Sequence, residues 1–258
     1  MLGDIIKPIE KELHAVNNIV EKEMFIRSDH IGRYAHLEFS YRDQVIRPAL
    51  VILSSRIYGY TGEKALYLAC VFQFTHMASM VHKFIPEKDT DYIREDSDPR
   101  DGSQFPILVG DYLYGKGFSF LYNAGMSNFM GPIAEIVCRI HEGGILKNRI
   151  KGNNPASEAY REVVRKETAE LFAGCAAIGA RLAGASAEQQ EIMRRLGISI
   201  GMASGIMERG AAAKYAIVYL EEAMAVLRNV PDLEERYILE QIIKNLISHN
   251  IFKRRMVI

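Results

Sequence analysis

A run of carboxylates between residues 86 and 106 contains the side chains best suited to metal chemistry. Asp89, Asp91, Asp96 and Asp98 all lie in it, and carboxylate oxygens are the ligands that Mg²⁺ and Ca²⁺ prefer. The run lacks the glycine and terminal glutamate placement of an EF-hand calcium loop, which favours a solvated loop between helices. Asp89 and Asp91 are therefore candidate metal ligands, with a solvated acidic loop as the alternative.

Basic and imidazole side chains form a second set of candidates, whose types allow contact with an anion and equally allow structural roles. His76 and His82 lie in one apolar segment with helical spacing, where each could contact a ligand or be satisfied by local hydrogen bonds. Arg47 and Arg94 could bind an anionic group or form salt bridges, and Lys83 would add one point charge. The residue types alone leave these alternatives open.

Composition excludes several classes of function. The 258 residues are 48% apolar, which is enough for the core of one helical domain or at most two. Basic and acidic residues number 32 each, so no global charge directs the chain to nucleic acid or to an anionic membrane. Cys70, Cys138 and Cys175 are far apart in apolar surroundings, which predicts core thiols rather than disulfides or a zinc site. The first residues lack the apolar run of a signal peptide and the later apolar stretches are short, so we expect no membrane span and a cytoplasmic location.

The elements that must position these groups are predicted to be helices. Apolar residues recur with helical spacing, and Pro48 is expected in a first helical turn. The predicted helices cover residues 13–24, 44–57, 64–81, 109–122, 130–149, 156–182, 187–207, 211–228 and 233–249. No run alternates with the period of two that a half-buried strand needs, so we predict an all-α bundle with a long loop over residues 86–106.

The segment Phe72–Asp91, FQFTHMASMVHKFIPEKDTD, resembles the first aspartate-rich motif of the trans-prenyl diphosphate synthases. That motif reads HDDxxxxD, and His82 matches its histidine. Lys83 and Phe84 stand where the family has its two leading aspartates, while Asp89 matches a later acidic position. The resemblance extends in the right order over roughly the whole chain, and it implies one isoprenoid-synthase-like helical domain over residues 1–258, built around a central cavity.

Other landmarks of the resemblance concern the diphosphate of the substrate. In the family's GGKxxRP segment Arg47 is kept and Gln44 replaces the lysine, and His76 lies where the family has a His or Gln that contacts the same diphosphate. Arg94 matches the first of two paired arginines. The resemblance therefore implies Arg47, His76, Lys83 and Arg94 as candidate diphosphate-binding residues.

The second metal motif of the family, DDxxD, aligns with Ser204, Gly205 and Glu208. Upstream, Glu167 and Thr168 replace the family's Lys-Thr pair. In the family, a cluster of Mg²⁺ ions neutralises the diphosphate that leaves, and two facing aspartate pairs hold these ions. With lysine, phenylalanine, serine and glycine at those four positions, the resemblance implies no catalytic residues and no cofactor, and Mg²⁺ only if some activity is kept.

The resemblance leads to three hypotheses. The leading one is a non-catalytic or regulatory subunit of a heteromeric prenyl diphosphate synthase, present as a heterodimer with a catalytic subunit or as a homodimer. Alternatives are a divergent Mg²⁺-dependent prenyltransferase and a protein that binds an isoprenoid diphosphate or another lipid. For the last, Ala78 and Ser79 precede the altered motif where side-chain size sets pocket depth in the family.

Overall fold

The computed structural model describes residues 2–26, 29–31, 40–83, 85, 104–150 and 154–255, and helices make up nearly all of them. The helices are α1 (Leu2–Ile5), α2 (Glu10–Glu23), α3 (Tyr41–Ile57), α4 (Lys64–Lys83), α5 (Gln104–Asn123), α6 (Met130–Lys147), α7 (Glu158–Val164), α8 (Glu170–Leu182), α9 (Ala187–Glu208), α10 (Ala213–Leu227) and α11 (Glu234–Arg255). Short 3-10 turns cover Lys7–Ile9 and Ser127–Phe129. The prediction of an all-α bundle is confirmed.

Two of the differences from the predicted elements have local causes. The strands β1 (Phe25–Ile26) and β2 (Asp29–His30) form an antiparallel hairpin of two residues each, too short to show alternation in the sequence. Helix α3 begins three residues earlier than predicted, because Ser40 and Asp43 form a capping box at its start. Pro48 therefore lies inside α3 rather than in its first turn, and the prediction for it was wrong.

Helix α4 lies in the centre of the bundle and packs against α2, α3, α5 and α8. Its buried side chains run along its whole length and include Phe72 and Phe74, which are fully buried. Burial on every face explains why this segment is apolar without being strongly amphipathic. The central position of α4 also places His76, and Lys83 at the end of the helix, next to the neighbouring helices.

Residues 158–182 form one continuous helical segment that contains a π-helical turn at Arg165–Ala169, between α7 and α8. The prediction of a helix over 156–182 had no sign of this turn. A π turn inserts one extra residue into a helix and is frequent at functional sites. Here it points Glu167 and Thr168 into the protein, where both are buried.

Some predictions need correction and others fall on residues that are not described. Cys70 and Cys175 are buried, and burial raises the pKa of each thiol to about 12, but Cys138 is exposed because it lies on the outer face of α6. Residues 86–103 of the predicted loop lie outside the described residues, whereas its last three residues begin α5. Among the described residues, no helix is long and apolar enough to cross a bilayer.

Candidate functional site

Arg47 on α3 forms the base of the candidate site. It is only 2% exposed, and its guanidinium lies 4.6 Å from the centre of the Phe172 ring. Nη1 lies 3.4 Å from Asp43 Oδ1 one turn earlier on α3, and Nη2 lies 3.8 Å from Glu208 Oε1 at the end of α9. Arg47 therefore links the two helices that carry the first and last landmarks of the sequence resemblance.

His76 on α4 faces the same carboxylate. Its Nε2 lies 4.0 Å from Asp43 Oδ1, and the ring is 4% exposed. Burial lowers the pKa of His76 well below its usual range, and the positive charges of Arg47 and Lys83 lower it further. His76 is consequently neutral at pH 7 and can exchange hydrogen bonds without adding charge.

Ala78 and Ser79 lie on the same helix, behind His76. Ala78 is fully buried in the hydrophobic core, and the Ser79 hydroxyl donates to the His76 carbonyl at 2.8 Å. The hydroxyl is thus used inside the helix. Their predicted role in setting pocket depth stays a prediction.

Lys83, the last residue of α4, keeps an exposed surface, but its ammonium group is surrounded by protein atoms and lies among charges from three other elements. The pKa of its ammonium is lowered, first because neighbouring protein replaces water around it. Glu167 and Glu208 act to raise that pKa, while Arg209 and Arg47 act to lower it. These electrostatic effects mean that Lys83 lies close to the π turn and to the end of α9, as the resemblance implied.

The π turn and the end of α9 are joined by an ion pair between Glu167 and Arg209 that the sequence analysis missed. Arg209 Nη2 donates to Glu167 Oε2, and Nη1 donates to Thr168 Oγ1 at 3.4 Å and to the Gly205 carbonyl at 3.0 Å. Glu167 is 5% exposed. A buried carboxylate of this kind depends on its partner, since leaving it unpaired is costly.

Gly205 lies where α9 approaches the π turn most closely. A Cβ atom on it would lie 2.8 Å from Val164 Cγ1, 2.9 Å from Thr168 Cβ and 3.0 Å from Thr168 Oγ1. Such distances leave no room for a side chain unless the neighbours move. The position that resembles the second aspartate of DDxxD is therefore filled by the facing helix.

Two buried polar atoms near this wall have no hydrogen-bond partner among the described residues, Ser204 Oγ and Arg47 Nε. Ser204 is 5% exposed, and Arg47 reaches Glu208, one turn after Ser204. Most buried polar atoms in proteins are hydrogen-bonded, so unpaired ones in one region are typical of a site that receives a polar ligand or water.

The described residues do not fit a cluster of Mg²⁺ ions. Mg²⁺ needs oxygen ligands in near-octahedral geometry, and Lys83, Ser204 and Gly205 supply no carboxylate. Glu208 has a carboxylate, but Arg47 lies within 3.8 Å of it. Within the part of the chain that the structure describes, no group of three histidine, cysteine, aspartate or glutamate side chains is placed to hold a metal.

The structure thus brings together Arg47, His76, Lys83, Ser204 and Glu208, as the sequence pattern indicated. The other candidates, Phe84, Asp89, Asp91 and Arg94, lie outside the described residues. Guanidinium, ammonium and imidazole groups are side chains that bind diphosphates through hydrogen bonds, many of them charge-assisted. The predicted diphosphate-binding role of Arg47, His76 and Lys83 stays a prediction. The same residues do not provide the ligands for metal ions that would neutralise the leaving diphosphate of a substrate.

Residues 34–207 match the sequence model of the polyprenyl synthetase family. Because this match spans more than half of the chain, the chain belongs to the polyprenyl synthetase family. Octaprenyl diphosphate synthase from Escherichia coli (strain K12) is 28% identical over 166 residues, which are 63% of this chain and 51% of that protein. Heptaprenyl diphosphate synthase component 2 from Geobacillus stearothermophilus is 26% identical over 214 residues, 78% of this chain and 63% of that protein.

The matched part of the chain therefore spans about half to two thirds of the length of these relatives. Among solved structures, a polyprenyl synthase from Caulobacter crescentus CB15, in complex with calcium and isoprenyl diphosphate, superposes with a TM-score of 0.78 at 19% identity. The superposition covers 96% of this chain and 98% of that one. The predicted isoprenoid-synthase fold is confirmed.

Proposed function

We propose that this member of the polyprenyl synthetase family is a non-catalytic subunit of a heteromeric prenyl diphosphate synthase in isoprenoid biosynthesis. The observation that carries the proposal is the wall around Gly205. The helix of the π turn occupies the space that a side chain at this position would need, and the ion pair between Glu167 and Arg209 lies beside it. Acquiring metal ligands here would require the two helices to separate.

Charge in the site supports the same conclusion. Arg47, Lys83 and Arg209 bring three basic side chains into the candidate site, against the carboxylates of Asp43, Glu167 and Glu208. A single ammonium such as Lys83 cannot replace several divalent ions at a leaving diphosphate. The site retains what binds a diphosphate, through Arg47 and His76, and lacks what ionises it.

A relative supports the heteromeric part of the proposal. Heptaprenyl diphosphate synthase component 2 is named as one component of an enzyme, so the family includes enzymes of more than one component. A subunit that lacks catalysis must act through its partner. It therefore needs a surface to which a catalytic prenyl synthase subunit can bind.

Helices α5 and α6 carry such a surface, which we call the partner face. On α5 it comprises Leu108, Gly115 and Tyr122, and on α6 it comprises Gly131, Cys138 and Ile145. Each set repeats every seven residues, or about two helical turns, so its members share one side of their helix. All six residues are exposed, with Leu108, Tyr122 and Ile145 exposed by 57%, 72% and 59%.

The two glycines make the partner face suited to another helix. A Cβ atom built on Gly115 or on Gly131 would meet nothing within 4 Å, so both open onto free space. Small residues between large apolar ones let a second helix approach closely and bury the apolar side chains. The rings of Tyr114 and His141 lie 5.7 Å apart, so α5 and α6 are neighbours at this point. We infer that one partner contacts both exposed sets.

The proposal is tested by coexpressing the chain with catalytic prenyl synthases from the same organism. We expect one of these synthases to copurify with the protein. The isoprenoid product of that synthase should change in length when the protein is present. Leu108→Glu and Tyr122→Glu should each abolish copurification. Val218→Glu, which changes an exposed apolar residue on α10, is the matched control and should not.

Two outcomes would contradict the proposal. The first is that no synthase copurifies and that product length is unchanged in every pairing. The second is turnover of isopentenyl diphosphate with an allylic primer and Mg²⁺ by the chain alone, provided that Arg47→Ala abolishes it. The second outcome would establish the alternative, a divergent prenyltransferase.

A further inference from the structure

A cleft of about 530 Å³ opens between the π turn, α9 and α10, and it shares no lining residue with the candidate site. Its lining contains three arginines, Arg165, Arg194 and Arg195, and the apolar side chains of Ile198, Ala225 and Val226. Ser199 adds a hydroxyl group to the lining, and Glu222 adds its one carboxylate. Small-molecule sites in proteins typically have about 300–1,000 Å³. The cleft combines an apolar wall with three guanidinium groups and one carboxylate, so its lining carries a net positive charge, which suits an anion with an apolar body.

A buried carboxylate holds two of the three arginines in place. Glu170 is 4% exposed, and its Oε1 lies 3.4 Å from Arg165 Nε while its Oε2 lies 3.6 Å from Arg194 Nη1. Arg139 Nη1 donates to the same Oε2 at 3.0 Å. Each of the three arginines that contact Glu170 also pairs with a second glutamate at the surface, so the part played by Glu170 is to fix the orientation of Arg165 and Arg194.

Arg195 supplies the charge that remains available. Among the described residues, no carboxylate lies within 4.0 Å of its guanidinium. Arg165 and Arg194 also pair with Glu162 and Glu191, at 3.8 Å and 3.0 Å, but these glutamates are exposed. Exposed pairs of this kind contribute little, and an oxyanion that meets several guanidinium groups at once forms stronger charge-assisted hydrogen bonds.

We propose that this cleft is a second ligand site, which binds a small molecule with a phosphate or diphosphate group. Arg195 and Arg194 would hold the oxyanion, and Ile198, Ala225 and Val226 would contact an apolar portion of the ligand. The buried Ser199 hydroxyl lies in the same lining and can add a hydrogen bond. This inference does not depend on the proposed function, because none of its residues belongs to the candidate site or to the partner face.

The test is calorimetric titration of the whole chain with inorganic diphosphate and, separately, with geranyl diphosphate. We expect two binding events. Arg195→Ala and Ala225→Glu, both at exposed positions where a change should leave the fold intact, should weaken one event roughly tenfold, as the loss of a charge-assisted contact implies. Lys83→Ala should weaken the other event, and Arg149→Ala, an exposed arginine on neither site, should change neither.

The outcomes separate the site from its alternatives. The proposal is overturned if both cleft variants bind inorganic diphosphate as the unaltered chain does. It is also overturned if Lys83→Ala removes all binding. Partial recovery in Arg195→Lys supports a role for charge at this position. Tighter binding of geranyl diphosphate than of inorganic diphosphate at the cleft event identifies an isoprenoid ligand, and equal binding identifies the phosphate group alone.

Discussion

The change of Gly205 to alanine tests the packing on which the candidate site depends. The new methyl group would begin 2.8 Å from Val164 Cγ1 and 2.9 Å from Thr168 Cβ, inside ordinary contact distance for both. Overpacking costs about 1–3 kcal/mol. Because the new methyl group would meet three atoms at 3.0 Å or less, we expect the upper part of that range, about 2–3 kcal/mol. Alanine regains up to about 1 kcal/mol over glycine inside a helix. We therefore expect a net loss of about 1–2 kcal/mol in the free energy of unfolding.

The matched control is Gly144→Ala on α6. A Cβ atom there would meet only Glu167 Oε1, at an ordinary 3.8 Å, so helix propensity should dominate. We expect no loss, or a gain of up to about 1 kcal/mol. Urea unfolding followed by circular dichroism measures both variants. If Gly205→Ala were as stable as the unaltered chain, α9 would not lie as close to the π turn as described, and the argument against metal ligands would fail.

Three further expectations concern other parts of the chain. Glu167→Gln and Arg209→Met should each lower the free energy of unfolding by about 3 kcal/mol, and the double variant by clearly less than the sum in the same urea assay. Burial lowers the pKa of His76, so the stability it contributes is present above its unfolded-state pKa of about 6.5 and is lost as pH falls, by up to about 1.4 kcal/mol per pH unit. His76→Gln should flatten this dependence between pH 7.5 and 5.5. Cys138 should react with a maleimide in the monomeric chain, and a bound partner subunit should protect it. The buried Cys175 should stay unlabelled in both cases. Mass spectrometry measures the labelling of each cysteine.

Each of these has a contradicting result. Additive losses in the double variant would mean that Glu167 and Arg209 are not coupled. Equal pH slopes with and without His76 would mean that its ring is not buried as a neutral group. Labelling of Cys138 at the same rate in a purified complex would place the partner somewhere other than on the partner face.

The fold could be predicted from the sequence because its helices are long and their apolar residues recur with helical spacing. The predicted start of α3 was wrong because Pro48 was expected in the first turn of the helix. The capping box at Ser40 instead starts the helix about two turns before Pro48. The π turn at Arg165–Ala169 has no periodic signature in the sequence, and it packs against α6 and α9, which are distant from it along the chain or follow a separate turn. Cys138 was assigned to the core because its neighbours are apolar, yet apolar residues on α6 also cover an exposed face.

The candidate site was predictable where it rests on the resemblance and unpredictable where it rests on distant contacts. Asp43 could have been named in advance, since it precedes Arg47 by four residues on a helix and such pairs interact. Glu167 and Arg209 are 42 residues apart, so no periodicity links them. That Gly205 has no room for a side chain depends on the close approach of two helices, which only the structure reveals.

Prenyl transfer by the purified chain, alone and in complex with a copurifying synthase, tests the central claim most directly. With radiolabelled isopentenyl diphosphate, several allylic primers and Mg²⁺, the chain alone should give no product. The complex should give a product whose length differs from that of the catalytic subunit alone. Product from the chain alone that disappears in Arg47→Ala would contradict the claim that this subunit is non-catalytic.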